Sequence, residues 1–78
     1  MTHIEQKLKE YIRDTTNSDV DSDTLLVEKG IIDSMGVMDL IAFIQSSFHV
    51  EFIDDDLTAE NFQNINSIAS LIASKNKQ

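Results

Sequence analysis

Gly30-Ile31-Ile32-Asp33-Ser34-Met35-Gly36-Val37-Met38-Asp39-Leu40-Ile41-Ala42-Phe43-Ile44-Gln45-Ser46-Ser47-Phe48 is the stretch whose reading decides the fold. Aspartate and serine are good helix caps, and no strong breaker follows them until His49. The spacing predicts a helix from Ser34 to Phe48, with Asp33 or Ser34 at its cap. At ~100° per residue, Val37, Leu40, Ile41, Ile44 and Phe48 share one stripe, which is the core face. Met35, Met38 and Ala42 form a second apolar stripe roughly 140° away by the same arithmetic. One helix cannot turn both stripes into one small core, so the second is expected on the surface beside Ser34, with Asp39 on its flank. Phe43 falls on neither stripe.

Upstream, Ile4, Leu8, Tyr11 and Ile12 recur at i, i+4, i+7 and i+8, which predicts an amphipathic helix over about 2–15. Residues 17–24 are polar and acidic and read as a loop. Leu25, Leu26, Val27, Ile31 and Ile32 then make an apolar patch inside a long connection, broken by Gly30. A loop of that length in a small domain is expected to pack on the core and to carry function. Downstream, Val50 to Ile53 reads as extended or turning. Leu57 to Phe62 reads as a short third helix, introduced by Asp54-Asp55-Asp56, whose charges suit a helix N-terminus. A last helix is predicted over 66–75, capped by Asn66 and burying Ile68, Ala69, Leu71 and Ile72. The expected fold is all-α: a four-helix bundle with a short third helix and a long loop between helices 1 and 2, in one domain spanning 1–78.

Length and composition restrict what such a domain can do. With 78 residues there is no room for a buried multi-residue active site and a substrate cleft. Cysteine is absent, which excludes disulfides, thiolate metal sites and a nucleophilic sulfur belonging to the chain. No stretch approaches the ~18 apolar residues of a membrane span, and the N-terminus has no apolar signal region, so a cytoplasmic protein without membrane insertion is expected. Fourteen acidic against six basic residues give a net charge of −8, which argues against nucleic acid as a partner. The imbalance is local: Gly30 to Ser74 holds no basic residue and carries −7 of that charge. A partner that docks there is expected to present a basic patch.

Gly30-Ile31-Ile32-Asp33-Ser34-Met35, followed by Val37, Asp39, Leu40 and Phe48, resembles the Asp-Ser-Leu modification site of acyl and peptidyl carrier proteins. The resemblance extends along the whole chain, in the order of the helices and in the long loop that ends in an apolar Gly-Ile-Ile turn. It implies that Ser34 bears a 4'-phosphopantetheine arm donated by coenzyme A, and that Asp33 helps a phosphopantetheinyl transferase hold its metal and the serine hydroxyl. It further implies partner recognition through Met35, Met38, Asp39 and Ala42, with the acids Asp54, Asp55 and Asp56 nearby. The other implied partners are an adenylating acyl or aminoacyl ligase and a downstream acyltransferase or condensing enzyme, and the carrier itself is a monomer and not an enzyme. A lipid-like cargo would fold back near Ile44, Phe52, Leu57 and Phe62. Elementary physics agrees with the attachment point, since a helix N-terminus favours an anion through its unpaired N–H groups and dipole.

Two departures from the pattern bear on the client enzymes. Fatty-acid carriers place an acid two positions after the modified serine, where this chain has Gly36, and acids toward the end of the second helix, where it has Gln45, Ser46 and Ser47. Only Asp39 is acidic between Ser34 and Phe48. The segment from Leu57 to Ile68 looks more like stand-alone carriers that serve amino-acid-activating or specialised acyl-activating ligases, D-alanyl carriers among them. The rival expectation is an unmodified acidic adaptor that binds a partner helix through the Met35/Met38 face. Asp19, Asp21 and Asp23 imitate the start of a calcium loop, but its required glycine and glutamate positions are Thr24 and Gly30. His3 and His49 have no nucleophile elbow to work with and are read as surface residues, His49 as a helix-end dipole contact.

Overall fold

The computed structural model describes residues 2–76; Met1, Lys77 and Gln78, at the ends of the expected 1–78 domain, lie outside the described residues. Every regular element among them is helical. Helix α1 spans Thr2–Thr16, α2 spans Ser34–Phe48 and α3 spans Ile65–Asn76, with one 3-10 turn at Asp54–Asp56 between α2 and α3. Helices α1 and α3 lie against each other. The core they share with α2, in which Ile32, Val50, Phe62 and Ala69 are also buried, is centred on Leu8, Ile12, Leu26, Leu40, Ile44, Ile65, Ile68 and Ile72, all fully buried. Each such side chain contributes about 1.5–3 kcal/mol relative to leaving it in water.

The expected four-helix bundle is corrected to three α-helices among the described residues, because Leu57 to Phe62 is not a helix. The chain tightens one step earlier. Asp56 and Leu57 donate their N–H groups to the carbonyls of Ile53 and Asp54 at 2.9 and 3.1 Å, and the Asp56 carboxylate accepts the Ile53 N–H at 2.9 Å. The Asp56 carbonyl, which a continuing helix would use, is taken by Thr58 N–H at 3.0 Å and by Asn61 Nδ2 at 2.9 Å. The Thr58 hydroxyl then accepts the Asn61 N–H at 3.1 Å. Short polar side chains thus compete with the helical ladder and leave a single turn at 59–62, closed by Phe62 N–H to Ala59 carbonyl at 3.2 Å.

The helix ends have identifiable causes. Helix α1 closes on Asn17 in the left-handed region (φ 62°), its N–H donated to the Arg13 carbonyl at 2.9 Å. Helix α2 closes on the exposed His49, also left-handed at φ 57°. Phe43, on neither stripe of α2, stacks on Tyr11 of α1 with ring centroids 4.2 Å apart and meets Phe48 edge-on at 6.5 Å. These rings cover the outer seam between α1 and α2.

Candidate functional site

The start of α2 is held by three ties. Asp33, not Ser34, is the cap: its backbone is extended and its Oδ1 accepts the Gly36 N–H at 2.8 Å. Ser34 is therefore the first helical residue, exposed to solvent, and its hydroxyl has no hydrogen-bond partner among the described residues. Behind it, the Leu26 carbonyl accepts the N–H groups of Ile31 and Ile32 at 2.9 and 3.2 Å, and the Leu26 N–H donates to the Gln63 carbonyl at 2.9 Å. Leu26 itself is buried, so these bonds are shielded from water. Gly30, at φ +73°, makes the reversal that brings Ile31 and Ile32 back under Leu26. The long connection is also fixed at its other end, where Asn66 donates its N–H to the Ser22 carbonyl at 2.9 Å and Ser22 Oγ donates to Glu5 Oε1 at 2.7 Å.

Ser34 stands at the edge of an open groove of about 640 Å³. Its apolar walls are Leu25 and Val27 from the long connection, Val37 and Ile41 from α2, and Leu57 and Phe62 from the 57–62 segment. Of the four residues expected to form a cargo cavity, Leu57 and Phe62 line this groove. The other two do not: Ile44 is fully buried in the core, and Phe52 packs edge-on against Phe62 at 5.6 Å, behind the wall. Leu25, Val27, Val37 and Ile41 lie outside the expected set. Val37 and Ile41 read as core from their place on the buried stripe of α2, and the signal for Leu25 and Val27 is an apolar run inside a polar connection, which periodicity does not assign to any face.

The second stripe of α2 is on the surface: Met35 and Met38 are 76% and 71% exposed, and Ala42 is exposed as well. Asp39 is exposed on the side of α2 toward Tyr11. The Tyr11 hydroxyl is held above its ordinary pKa, first by burial of the ring and then by the Asp39 charge. The three aspartates expected together on a recognition surface divide. Asp54 and Asp55 are exposed. Asp56 turns inward and pairs with Lys75 of α3 at 2.5 Å, with side-chain exposures of 15% and 26%. The Lys75 hydrogen bond, and after it the Ile53 N–H, hold the Asp56 carboxyl below the usual carboxylate range.

Chemically, the site offers one approachable hydroxyl at a helix start, a capping carboxylate beside it, a flanking apolar groove and an exposed pair of thioethers. No group of histidines and carboxylates gathers among the described residues as a metal site would require. No helix among them is long and apolar enough to cross a membrane. No family model matches the chain, and a search of curated proteins finds no match to it.

Proposed function

We propose that the chain is an acyl or aminoacyl carrier, modified at Ser34 with 4'-phosphopantetheine and acting by covalent tethering without catalysing a reaction. The observation that carries the reading is Ser34 itself: the exposed first residue of α2, its hydroxyl without a hydrogen-bond partner among the described residues, beside the groove and the Met35/Met38 stripe. The residues fit such a group, since a hydroxyl outside any hydrogen bond is accessible to a transferase and the helix start favours an attached anion. When bound, the arm supplies the thiol that a cysteine-free chain lacks and carries the cargo as a thioester.

The chain's own residues do the rest. Asp33 fixes the first turn through Gly36, and as the residue before Ser34 it supplies the carboxylate that a transferase's metal is expected to use. Met35, Met38 and Ala42 give partner enzymes an adaptable apolar surface, Asp39 adds charge on the same helix, and Asp54 and Asp55 add exposed charge in the turn that follows it. The groove, of the size that small ligands occupy (about 300–1,000 Å³), accepts an apolar cargo between Val37, Ile41, Leu57 and Phe62. A polar aminoacyl cargo stays in solvent. Tethering raises the cargo's effective concentration at each partner. The partners in sequence are a phosphopantetheinyl transferase, an adenylating ligase and an acyltransferase or condensing enzyme. Gly36, Gln45, Ser46 and Ser47 favour an aminoacyl or specialised acyl client over general fatty-acid synthesis.

The test is direct. Incubation with coenzyme A, magnesium and a broad-specificity phosphopantetheinyl transferase is expected to add one phosphopantetheine to the intact mass, and Ser34→Ala to abolish the increment. A wild-type protein without the increment, or the same increment in Ser34→Ala, overturns the reading and leaves the adaptor that binds through Met35 and Met38.

A further inference from the structure

Gly36 lies in the first turn of α2, where glycine costs roughly 0.5–1 kcal/mol relative to alanine. Nothing in its backbone requires it, for among the glycines only Gly30 has a positive φ. The reason is steric. A β-carbon at position 36 would stand 2.7 Å from Ile32 Cγ2 and 3.3 Å from Asp33 Oδ1. Ordinary carbon contacts are ~3.5–4.0 Å, so any side chain at position 36 must displace Ile32.

Ile32 is not free to yield. Its side chain is buried in the core, the atom in question is a β-branch methyl close to the backbone, and its N–H is bonded to the Leu26 carbonyl. Between Ile32 and Gly36 run only Asp33, Ser34 and Met35. The contact therefore closes a short loop around Ser34, with the backbone ties of Leu26 at one end and the Asp33 cap at the other.

We propose that Gly36 is a positioning residue for the modification of Ser34: its bare Cα lets Ile32 seat against the first turn, and this contact sets the direction of the Ser34 hydroxyl. The inference rests on the carrier reading. It also explains why this chain lacks an acid at position 36, because an acidic side chain begins with the same β-carbon and would unseat Ile32.

The experiment measures the steady-state kinetics of phosphopantetheine transfer to wild type, Gly36→Ala and Gly36→Ala/Ile32→Leu, with helicity and thermal unfolding recorded for each. Leucine keeps the bulk of residue 32 but moves the branch one carbon outward and removes the clashing methyl. Gly36→Ala is expected to lower kcat by about tenfold, one factor of ten in rate for each ~1.4 kcal/mol of lost positioning, with KM for the carrier unchanged because the Met35/Met38 face is untouched. The double variant is expected to recover most of that kcat. A Gly36→Ala protein that unfolds less readily than wild type, or one with wild-type kcat whatever its Tm, overturns the positioning role and leaves ordinary packing. If Gly36→Ala does not fold, a folded double variant with wild-type kcat supports the contact, and one with a lowered kcat overturns it. Absence of modification on wild type overturns the carrier reading and this role with it, whereas equal modification of wild type and Gly36→Ala overturns this role alone.

Discussion

The two segments that border the groove are built on different principles. On one side, the connection from Leu26 into α2 is held by main-chain hydrogen bonds gathered on one buried residue, by a capping carboxylate and by the Ile32–Gly36 contact. On the other, the main-chain bonds of the 53–63 segment are short-range turns spread along it, and four side-chain ties cross-link them: Asp56 to Ile53 N–H and to Lys75, Asn61 to the Asp56 carbonyl, Thr58 to Asn61. Main-chain bonds shielded by a buried leucine open only when the core opens. Polar side-chain ties at half-exposed positions yield one at a time. Under the proposed carrier reading, this difference would present the attachment point in one geometry while the facing wall adapts to different cargo.

The sharpest way to break this contrast is to remove its hub. Leu26→Ala deletes a fully buried side chain beneath the bonds to Ile31, Ile32 and Gln63. It is expected to cost about 2–5 kcal/mol, most of the stability of a domain this small, measured by urea unfolding. A loss under about 1 kcal/mol, well below that range, would show that the backbone ties do not depend on Leu26 burial and that the two walls are not so different.

What was legible in the sequence divides along the same line. The Ser34–Phe48 helix, its buried and exposed stripes and the Asp33–Ser34 start were readable because they depend on residues within a few positions of one another, where helical period and capping chemistry operate. Gly36 read as a mere departure from a family pattern, since its partner Ile32 is met only when the chain turns at Gly30. The 57–62 segment was misread as a helix for a related reason. Leu57, Asn61 and Phe62 have helical spacing, but the Asp56 carbonyl and carboxylate are claimed by Asn61 and by Lys75, nineteen positions further on by the numbering. Periodicity cannot see a competitor that arrives from another element. The groove was half readable for the same cause: Leu57 and Phe62 belong to a local run, whereas Leu25 and Val27 come from a distant part of the chain that the Leu26–Gln63 bond ties to that run, and Val37 and Ile41 read as core.

A smaller effect separates the capping role of Asp33 from its proposed role in the modification of Ser34. Asp33→Ala removes the bond to the Gly36 N–H and is expected to cost about 1 kcal/mol, seen as a fall in Tm. Asp33→Asn keeps an acceptor at the same place, so stability is expected to stay within a few tenths of a kcal/mol of wild type while phosphopantetheine transfer slows, because the negative charge beside Ser34 is gone. Asparagine with a wild-type transfer rate would reduce Asp33 to a cap and place the whole contribution of this junction in its geometry.

The smallest expected effect lies on the other wall and depends on pH. The folded Asp56 carboxyl titrates below its unfolded value of ~3.9, held down first by Lys75 and then by the Ile53 N–H. A depressed carboxylate adds stability that is fully present above the unfolded pKa and is lost as pH falls through the folded one. The loss belongs to the window below about pH 4. Other acids titrate in the same range, and neutralising a chain of net charge −8 relieves repulsion as well, so wild type alone does not isolate the pair. The difference in Tm between wild type and Asp56→Asn does. It is expected to favour wild type at pH 7, to shrink as pH drops below 4, and to coincide with faster amide exchange across Leu57–Phe62 but not across Ile31–Val37. A Tm difference independent of pH, or exchange that quickens equally on both sides, would mean that the Asp56–Lys75 pair does not hold the wall on its own and that the groove opens only with the core.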